Sequence, residues 1–327
     1  MGHLTCIEIC AGAGGQSLGL EGAGFEHVVA VEYDSDACAT LRLNRPGWDI
    51  RQMDVHDFDG TAYAGQIDLL AGGVPCPPFS IAGKQLGAED ERDLFPQALR
   101  LAEEIRPQAV MLENVKGLAT ARFAGYRKQI TDRLEALGYE WDWHIVNSSE
   151  LGVPQLRPRF ILVALRPEAF AHFRWPDGEE IAPTVGEALR PLMAANGWEG
   201  VDAWVCRAND IAPTLVGGSR KHGGADLGPT RARAAWRGLG VDGRSLAAQA
   251  PTAGDPADIT PKLTLAMAAR IQGFPAHWHF AGRKTAAYRQ IGNAFPPPVA
   301  KAVGEQIKAA LHAAGSVRKR RLQAASV

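Results

Sequence analysis

The sequence predicts a doubly wound α/β domain accompanied by a second, smaller domain. Runs of β-branched and apolar residues alternate with helical patterns from the amino terminus to about residue 166. This alternation is typical of a mainly parallel sheet with helices on both faces. A length of 327 residues suits one large domain or a large and a small one, and 46% hydrophobic and 22% charged residues are ordinary globular proportions.

The elements of the predicted sheet follow in a regular order. Apolar periodicity of strand type occurs at residues 4–9, 27–32, 67–71, 109–113, 144–147 and 160–165. Helical patterns at residues 34–43, 94–104 and 127–137 separate them. Each strand is therefore expected to return to the same sheet through a helix that covers one of its faces.

The alternation stops after Arg166-Pro167, and about ninety residues rich in Gly and Pro follow, with four of the eight Trp. This composition predicts the smaller domain. Helical periodicity returns at residues 263–272 and again at 298–313, where apolar residues recur about every four positions. The basic tail at residues 317–321 is expected to be solvated and disordered.

Charge is unevenly distributed along the chain. The formal net charge is -1, from 35 Lys plus Arg and 36 Asp plus Glu, which argues against coating of nucleic acid or membranes by bulk charge. Residues 1–100 nevertheless hold 15 acidic and 6 basic side chains, whereas residues 262–327 hold 11 basic and 1 acidic. Residues 207–244 combine seven basic side chains with Gly pairs, a composition that favours a loop-rich surface facing an anion.

The sequence points to a reducing, cytoplasmic location. It has no apolar run near the roughly 18 residues of a membrane span and begins without the basic and apolar regions of a signal peptide. Its cysteines are therefore expected to be reduced thiols, and their scattered spacing predicts no metal site. They are Cys6, Cys10, Cys38, Cys76 and Cys206.

A glycine-rich turn after the first strand predicts a nucleoside site. In a doubly wound sheet the following helix offers free N–H groups there, and glycines let a ligand approach the backbone. Glu32 ends the second strand and suits the two hydroxyls of a ribose, while Asp54 follows the third strand and suits an adenine amino group. The spacing Gly12-x-Gly14-Gly15 differs from the G-x-G-x-x-G frame of a pyrophosphate turn. S-adenosylmethionine fits these features, and a dinucleotide is the alternative.

Three further motifs follow strand ends or precede a strand. Cys76 lies among the prolines of residues 72–80, which exclude regular structure and present the thiol as a candidate nucleophile. Glu113, just past another strand, is a candidate proton donor to a ring nitrogen. Arg157 and Arg159 alternate into the strand at residues 160–165 and suit a carbonyl and a phosphate.

Taken in order, these motifs closely resemble the cytosine-C5 DNA methyltransferases. The resemblance rests on Ala-Gly-x-Gly-Gly, Pro75-Cys76, Glu113-Asn114-Val115, Gln155-x-Arg157-x-Arg159 and the Gln-Ile-Gly-Asn-Ala-Phe-Pro-Pro of residues 290–297. It implies a Rossmann-like, S-adenosylmethionine-dependent methyltransferase domain with an inserted small DNA-recognition domain. It also implies double-stranded DNA as substrate, S-adenosylhomocysteine as product and no metal.

The resemblance assigns roles to residues by their motif positions. Cys76 matches the nucleophile that adds to carbon 6 of cytosine, and Glu113 matches the acid that engages N3 and the exocyclic amine. Arg159 matches the residue on O2, and Arg157 is expected to assist the substrate or its backbone. Asn293 matches the amide facing the methionine end of the cofactor. The expected cofactor residues are Cys10, Ala11, Gly12, Gly14, Gly15, Glu32, Tyr33, Asp54, Val55 and Asn293.

A duplex hides carbon 6 in the base stack, so the resemblance implies base flipping and a mobile lid at residues 80–90. The expected DNA-binding residues are Ser80, Lys84 and Gln85 in the lid and Arg220 and Lys221 in the small domain. Residues 172–260 are expected to form the target recognition domain, inserted between residues 1–171 and 261–327. Three positions depart from relatives: Cys10 replaces an aromatic residue, Ala82 a hydroxyl residue and Met267 an acid.

The resemblance predicts a monomeric modification enzyme of a restriction-modification system, or a solitary or phage enzyme. A restriction endonuclease that shares its site without stable contact is the expected companion. Three alternatives remain open: a relative acting on RNA, a non-catalytic DNA-binding regulator and an NAD-linked oxidoreductase. The long recognition region disfavours the first, and the presence of Cys76, Glu113 and Arg159 disfavours the second.

Overall fold

A computed structural model of the chain describes residues 3–75, 93–178, 180–218 and 224–324. Within these residues the chain forms nine strands: β1 (Leu4–Ile9), β2 (Phe25–Glu32), β3 (Ile50–Gln52), β4 (Leu69–Gly72), β5 (Ala109–Val115), β6 (Glu140–Asn147), β7 (Gln155–Leu156), β8 (Pro158–Leu165) and β9 (Ala212–Pro213).

The same residues form eleven α-helices: α1 (Gly15–Ala23), α2 (Ser35–Asn44), α3 (Phe95–Ile105), α4 (Ala124–Ala136), α5 (Pro167–Phe170), α6 (Val185–Met193), α7 (Val201–Arg207), α8 (Thr230–Gly238), α9 (Leu265–Ile271), α10 (Lys284–Asn293) and α11 (Pro297–Ala324). Short 3₁₀ turns also occur, among them Val55–Asp57. None of the helices in the described ranges is both long and apolar enough to cross a membrane.

Seven of the described strands form one sheet in the order β3-β2-β1-β4-β5-β8-β6. The pairs from β3 to β5 are parallel, whereas β8 is antiparallel to both of its neighbours. The mainly parallel, doubly wound fold predicted from the sequence is therefore confirmed. The remaining pair, β7 and β9, forms a small parallel sheet that joins residues 155–156 to residues 212–213 of the predicted recognition region.

The two faces of the large sheet bury separate apolar clusters. On one face, side chains such as Ile7, Ile9 and Leu70 pack with those of α3 and α4. On the other face, Leu69 and Met111 pack with side chains of α1 and α11. Helices thus cover both faces, which explains why the strands read as nearly continuous apolar runs.

A third apolar cluster joins the predicted recognition region to the large domain. Trp198, Trp204 and Trp236 from that region are buried together with Leu41 of α2 and Met267 of α9. The sulfur of Met267 accepts a hydrogen bond from the backbone N–H of Thr264 at 3.4 Å, the position at which an acidic side chain completes a capping box. The departure at Met267 therefore leaves the start of α9 capped.

The strand order places a ligand site between β1 and β4. From β1 the chain runs outward to β2 and β3, then returns to the opposite side of β1 as β4. Ligands in doubly wound folds bind at this reversal, outside the carboxyl ends of the strands. The turns after β1, β2 and β4 therefore face one crevice.

The carboxyl-terminal helix is longer than the sequence pattern predicts. The periodicity indicated an end near residue 313 and a disordered tail, whereas α11 continues to Ala324. That part of the prediction was wrong because apolar periodicity reports only the buried part of a helix. The tail is rich in Ala, Lys and Arg, which favour helix, and cations near a helix carboxyl terminus are stabilising.

Candidate active site

The glycine-rich turn lies between β1 and α1, at the reversal of strand order. Cys10, Gly12 and Gly14 all have positive φ, of 52°, 54° and 87°. The φ of Cys10 is uncommon for a residue with a side chain, and such conformations are concentrated at functional sites. A Cβ atom on Gly12 would meet nothing within 4 Å, so this part of the turn is open to a ligand.

Close packing requires glycine at positions 14 and 15. A Cβ on Gly15 would lie 2.2 Å from the carbonyl oxygen of Phe295, and one on Gly14 would lie 2.6 Å from the ring of Trp278. The indole Nε1 of Trp278 donates a hydrogen bond to the carbonyl oxygen of Ala13 at 3.1 Å. Trp278 therefore supports the turn from beneath, a role that sequence reasoning missed because no spacing links residue 278 to residue 13.

Glu32 fixes the shape of the turn from the end of β2. Its two carboxylate oxygens accept backbone hydrogen bonds from Gly12 and Asp34, each at 2.7 Å. Burial raises the pKa of this carboxyl, while the bonds from Asp34 and Gly12 oppose that shift. Each carboxylate oxygen has two acceptor positions, so Glu32 retains capacity for ligand hydroxyls.

Two cavities meet at Cys10 and Glu32. The inner cavity, of about 270 Å³, extends toward Gly73, Glu113 and Asn293. The outer cavity, of about 730 Å³, is bounded by residues of β2 and of the turn after β3, together with Pro75 and Leu94. Predicted cofactor residues line them: Cys10, Ala11, Gly12, Gly15, Glu32 and Asn293 the inner one, and Cys10, Glu32, Tyr33, Asp54 and Val55 the outer one.

Asp54 presents an ionised carboxylate to the outer cavity. Its Oδ1 accepts hydrogen bonds from the backbone N–H of His56 at 3.0 Å and from the His56 ring at 2.6 Å. These bonds, the backbone one first, lower the pKa of Asp54. Tyr33, on the same rim, is 67% exposed, whereas Val55 is buried in the wall.

The inner cavity contains buried polar atoms that the protein leaves unsatisfied. Within the described residues, Glu8 Oε1 and both amide atoms of Gln16 have no hydrogen-bond partner. Both side chains line the cavity and are less than 5% exposed. Because unpaired buried polar groups are costly, these atoms indicate a polar ligand with both donors and acceptors. Sequence reasoning missed Glu8 and Gln16 because they lie on either side of the turn, in β1 and α1, without a distinctive spacing.

His27 lies behind Glu8, away from the cavity. Its Nε2 is 3.0 Å from Glu8 Oε2, and its ring stacks on Trp48 at a centroid distance of 4.2 Å. Burial alone would lower the pKa of His27, but Cys6 and Glu8 outweigh it and raise the pKa to about 10. The imidazolium thus neutralises one side of the Glu8 carboxylate while the other side faces the cavity.

Glu113, which lines the inner cavity, contacts Arg159 of the neighbouring strand. They are diagonal neighbours near the ends of the antiparallel pair β5 and β8, where Glu113 pairs with Ile161 and Arg159 with Val115. Arg159 Nε is 2.6 Å from Glu113 Oε1, with both side chains mostly buried. Burial lowers the pKa of Arg159, and Glu113 opposes this shift. The pair sets a carboxyl group and a guanidinium side by side at one pocket edge.

Asn114 fastens the start of the segment that carries Cys76. Its Nδ2 donates to the carbonyl oxygen of Val74 at 2.7 Å, and Asn114 is only 5% exposed. The carbonyl of Pro75 accepts a bond from the backbone N–H of Leu94 at 3.1 Å. Both ends of the segment between residues 75 and 94 are therefore tied together at the end of β4.

Arg157 is buried and contacts backbone carbonyls. Its Nη1 donates to Leu215 O and its Nη2 to Gly292 O, both at 2.8 Å, and the residue is 1% exposed. Burial, aided by Arg159, lowers the pKa of Arg157 well below its usual value. The structure thus places Arg157 between Leu215 of the predicted recognition region and the end of α10, and its expected contact with substrate stays a prediction.

Several predicted site residues lie outside the described ranges: Cys76, Ser80, Lys84, Gln85, Arg220 and Lys221. The lid and the departure at Ala82 lie outside them as well. Among the residues that are described, no cluster of three or more His, Cys, Asp or Glu side chains has the arrangement of a metal site.

Comparison with known proteins identifies relatives along nearly the whole chain. A family model described as "C-5 cytosine-specific DNA methylase" matches residues 4–309. Type II methyltransferase M.NaeI of Lentzea aerocolonigenes is 57% identical over 324 residues, covering 98% of this chain and 78% of the relative. Type II methyltransferase M.NgoMIV of Neisseria gonorrhoeae is 51% identical over 317 residues, covering 94% of this chain and 98% of the relative.

Solved structures with low sequence identity share the fold. A putative DNA modification methyltransferase encoded within a prophage of E. coli superposes with a TM-score of 0.66 at 23% identity, covering 94% of this chain and 99% of that one. DNMT2 of Spodoptera frugiperda gives a TM-score of 0.66 at 17% identity, covering 94% of this chain and 99% of that one. At these identities the likeness concerns the architecture alone.

Proposed function

The chain belongs to the C-5 cytosine-specific DNA methylase family and is a DNA cytosine-5 methyltransferase, and we propose that it modifies a flipped-out cytosine within a specific duplex sequence. The observation that carries this proposal is the pair of Glu113, which lines the inner cavity, and Arg159, whose Nε is 2.6 Å from Glu113 Oε1. A carboxyl and a guanidinium at one edge match the N3 and O2 edge of cytosine.

The cavities fit S-adenosylmethionine as the methyl donor. The free oxygen of Glu8 and the amide of Gln16 suit the ammonium and carboxylate of its amino-acid end, with Asn293 nearby. Glu32 suits the ribose hydroxyls, and Asp54, at the outer cavity, suits the adenine amine. Cys10 lies where the two cavities meet, and its small side chain lines both of them. When bound, S-adenosylmethionine supplies an electrophilic methyl group on a sulfonium.

In the proposed reaction the protein makes carbon 5 of cytosine nucleophilic. The Cys76 thiolate forms a bond to carbon 6, and the ring electrons that this displaces give carbon 5 enamine character. Glu113 holds a proton at N3 and Arg159 donates to O2, so that the charge is stabilised as it develops. Once carbon 5 carries the methyl group, loss of its proton lets the sulfur–carbon bond break and releases the thiolate.

We assign the recognition of DNA to residues 172–260 and the catalytic domain to residues 1–171 and 261–327. Lys84, Ser80 and Gln85 are proposed to close over the flipped base, and Arg220 and Lys221 to contact the duplex. Similarity to Type II methyltransferases at 57% and 51% identity supports a modification enzyme. We propose that it acts as a cytoplasmic monomer beside a restriction endonuclease of the same specificity. No stable contact between the two enzymes is needed, because both read the same DNA sequence.

Conversion sequencing tests the proposal. Plasmid DNA is isolated from cells that lack other cytosine methyltransferases and that express the wild type, Cys76→Ser or Cys206→Ser. Cys206 is an exposed free thiol on α7, so its substitution controls for loss of a cysteine. Wild type and Cys206→Ser are expected to mark one sequence context, and Cys76→Ser none. An unmarked plasmid from the wild type would refute the function, and marks from Cys76→Ser would refute the assignment of the nucleophile.

A further inference from the structure

A histidine is buried between β1 and β2, on the side of Glu8 that is turned away from the inner cavity. His27 Nε2 is 3.0 Å from Glu8 Oε2, and the two side chains are 1% and 0% exposed. A carboxylate accepts hydrogen bonds and donates none, so Nε2 carries the proton and donates to Oε2. This contact occupies one of the two carboxylate oxygens.

The register of the strands places the imidazole on the same face of the sheet as Glu8. Cys6 pairs with His27 across β1 and β2, and Glu8 follows Cys6 by two positions, so all three side chains point to one face. The register shifts after Cys6, and Glu8 then pairs with Ala30 on β2 and with Ala71 on β4. Alanine on both sides leaves room for the histidine ring beside the carboxylate.

Stacking fixes the plane of the imidazole. Its ring lies on the indole of Trp48, with ring centroids 4.2 Å apart and an interplanar angle of 21°. The guanidinium of Arg45 lies 5.8 Å from the centre of the Trp48 ring, and Arg45 Nε donates to Glu21 at 2.7 Å. The ring of His27 therefore keeps the orientation that directs Nε2 at Glu8.

The second oxygen of Glu8 is free for a ligand. Glu8 lines the inner cavity, and within the described residues its Oε1 has no hydrogen-bond partner. A ligand that meets this atom must bring a donor, and the ammonium at the amino-acid end of S-adenosylmethionine is one. Because His27 holds Oε2, the carboxylate cannot turn without losing that bond, so Oε1 is in place before the ligand arrives.

We propose that His27 is a positioning residue for the amino-acid end of S-adenosylmethionine. It holds Glu8 Oε2, and thereby sets Oε1 to accept a hydrogen bond from the ammonium. This inference rests on the proposed function, which supplies the cofactor. It predicts that a side chain buried behind the cavity controls the affinity for one end of the cofactor and leaves the adenosine end unaffected.

Two ligands separate the ends of the cofactor: S-adenosylhomocysteine has the amino-acid end, and 5′-methylthioadenosine lacks it. The dissociation constant of each is measured calorimetrically with wild type, His27→Leu and His27→Gln. Leucine cannot donate, so His27→Leu is expected to bind S-adenosylhomocysteine at least roughly tenfold more weakly and 5′-methylthioadenosine within roughly twofold of wild type. His27→Gln is the matched control, because its amide can donate to Oε2, and it is expected to bind both ligands within roughly threefold of wild type.

A double-mutant cycle with Glu8→Gln shows whether His27 acts through Glu8. Glu8→Gln alone is expected to weaken the binding of S-adenosylhomocysteine. Adding His27→Leu to it should weaken that binding by less than roughly twofold more, because the carboxylate that His27 positions is already gone. Thermal melting shows which variants are folded, and His27→Asn, whose shorter amide does not reach Oε2, is expected to show the same selective loss as His27→Leu.

Three results would overturn the proposal. They are binding of S-adenosylhomocysteine by the folded Leu or Asn variant within roughly twofold of wild type, an equal loss for both ligands, and a loss that persists in full in the Glu8→Gln background. Failure of the wild type to methylate any cytosine would instead refute the proposed function.

Discussion

Replacement of Glu32 by glutamine tests the geometry of the cofactor turn with little change in side-chain volume. The two carboxylate oxygens accept backbone N–H bonds from Gly12 and from Asp34, each at 2.7 Å. Glutamine presents one oxygen and one NH₂ group, so one of these two N–H donors must face another donor. The substitution therefore removes one bond to a charged acceptor from the unliganded protein.

The magnitude follows from that count. A hydrogen bond to a charged group contributes about 1.5–3 kcal/mol, so the free energy of unfolding is expected to fall by about that amount. One acceptor position for a ribose hydroxyl is lost as well, which predicts roughly 10- to 100-fold weaker binding of S-adenosylhomocysteine. The two effects are separable because the first is measured without ligand.

The assays are urea unfolding of the unliganded protein and calorimetric titration with S-adenosylhomocysteine. Glu26→Gln is the matched control because Glu26 lies on the same strand, is exposed and loses the same charge. It is expected to change both quantities little. If Glu32→Gln binds S-adenosylhomocysteine within threefold of wild type, Glu32 does not hold the ribose and our reasoning about this turn is wrong.

Three further predictions concern the surroundings of the cavity. Trp278→Phe removes the bond to the Ala13 carbonyl and some of the packing beneath the turn. Thermal melting and urea unfolding should therefore show that the free energy of unfolding falls by about 1–3 kcal/mol. An unchanged melting temperature would contradict this. His27 has a pKa of about 10 in the folded protein against 6.5 in the unfolded chain, so its stabilisation is complete below pH 6.5 and is lost as the pH rises through 10. From pH 7 to pH 9 the free energy of unfolding, measured in urea, should decrease on the order of 2 kcal/mol in wild type and not in His27→Gln. An equal decrease in both proteins would exclude the ion pair of His27 with Glu8. Asn114→Ala leaves the buried Val74 carbonyl unpaired and unfastens the start of the segment that carries Cys76. Single-turnover methylation should therefore slow at least roughly tenfold, at unchanged affinity for S-adenosylhomocysteine. A rate within twofold of wild type would show that Asn114 does not position this segment.

Strand positions were predictable from sequence because buried strands have an apolar pattern that is local. β1 has the predicted bounds, and β5 and β8 each extend the predicted run by two residues. The carboxyl-terminal helix was less predictable, since the apolar pattern of its sequence ends near residue 313 whereas α11 continues to Ala324. Patterns thus report which residues face a core, and only indirectly where an element ends.

The grouping of candidate residues also followed from sequence, through topology. Glu32 ends one strand and Glu113 lies near the end of another, and the carboxyl ends of parallel strands meet at one edge of a sheet. That argument places both carboxylates at one crevice without a structure, and the structure has both in the lining of the inner cavity. Their roles in catalysis and cofactor binding stay predictions for the experiments above.

The sequence by itself determined the fold class, the family and the crevice, because each depends on local patterns or on ordered motifs. The tertiary structure decided which side chains support the crevice: Trp278 beneath the turn, His27 behind Glu8, and Arg157 between the carbonyls of residues 215 and 292. These contacts join residues far apart in the chain, and only packing and hydrogen bonding in the folded protein bring them together. No spacing along the sequence encodes them: the bonds from the Arg157 guanidinium to the carbonyls of Leu215 and Gly292 are visible only in the folded chain, and its expected contact with substrate stays a prediction.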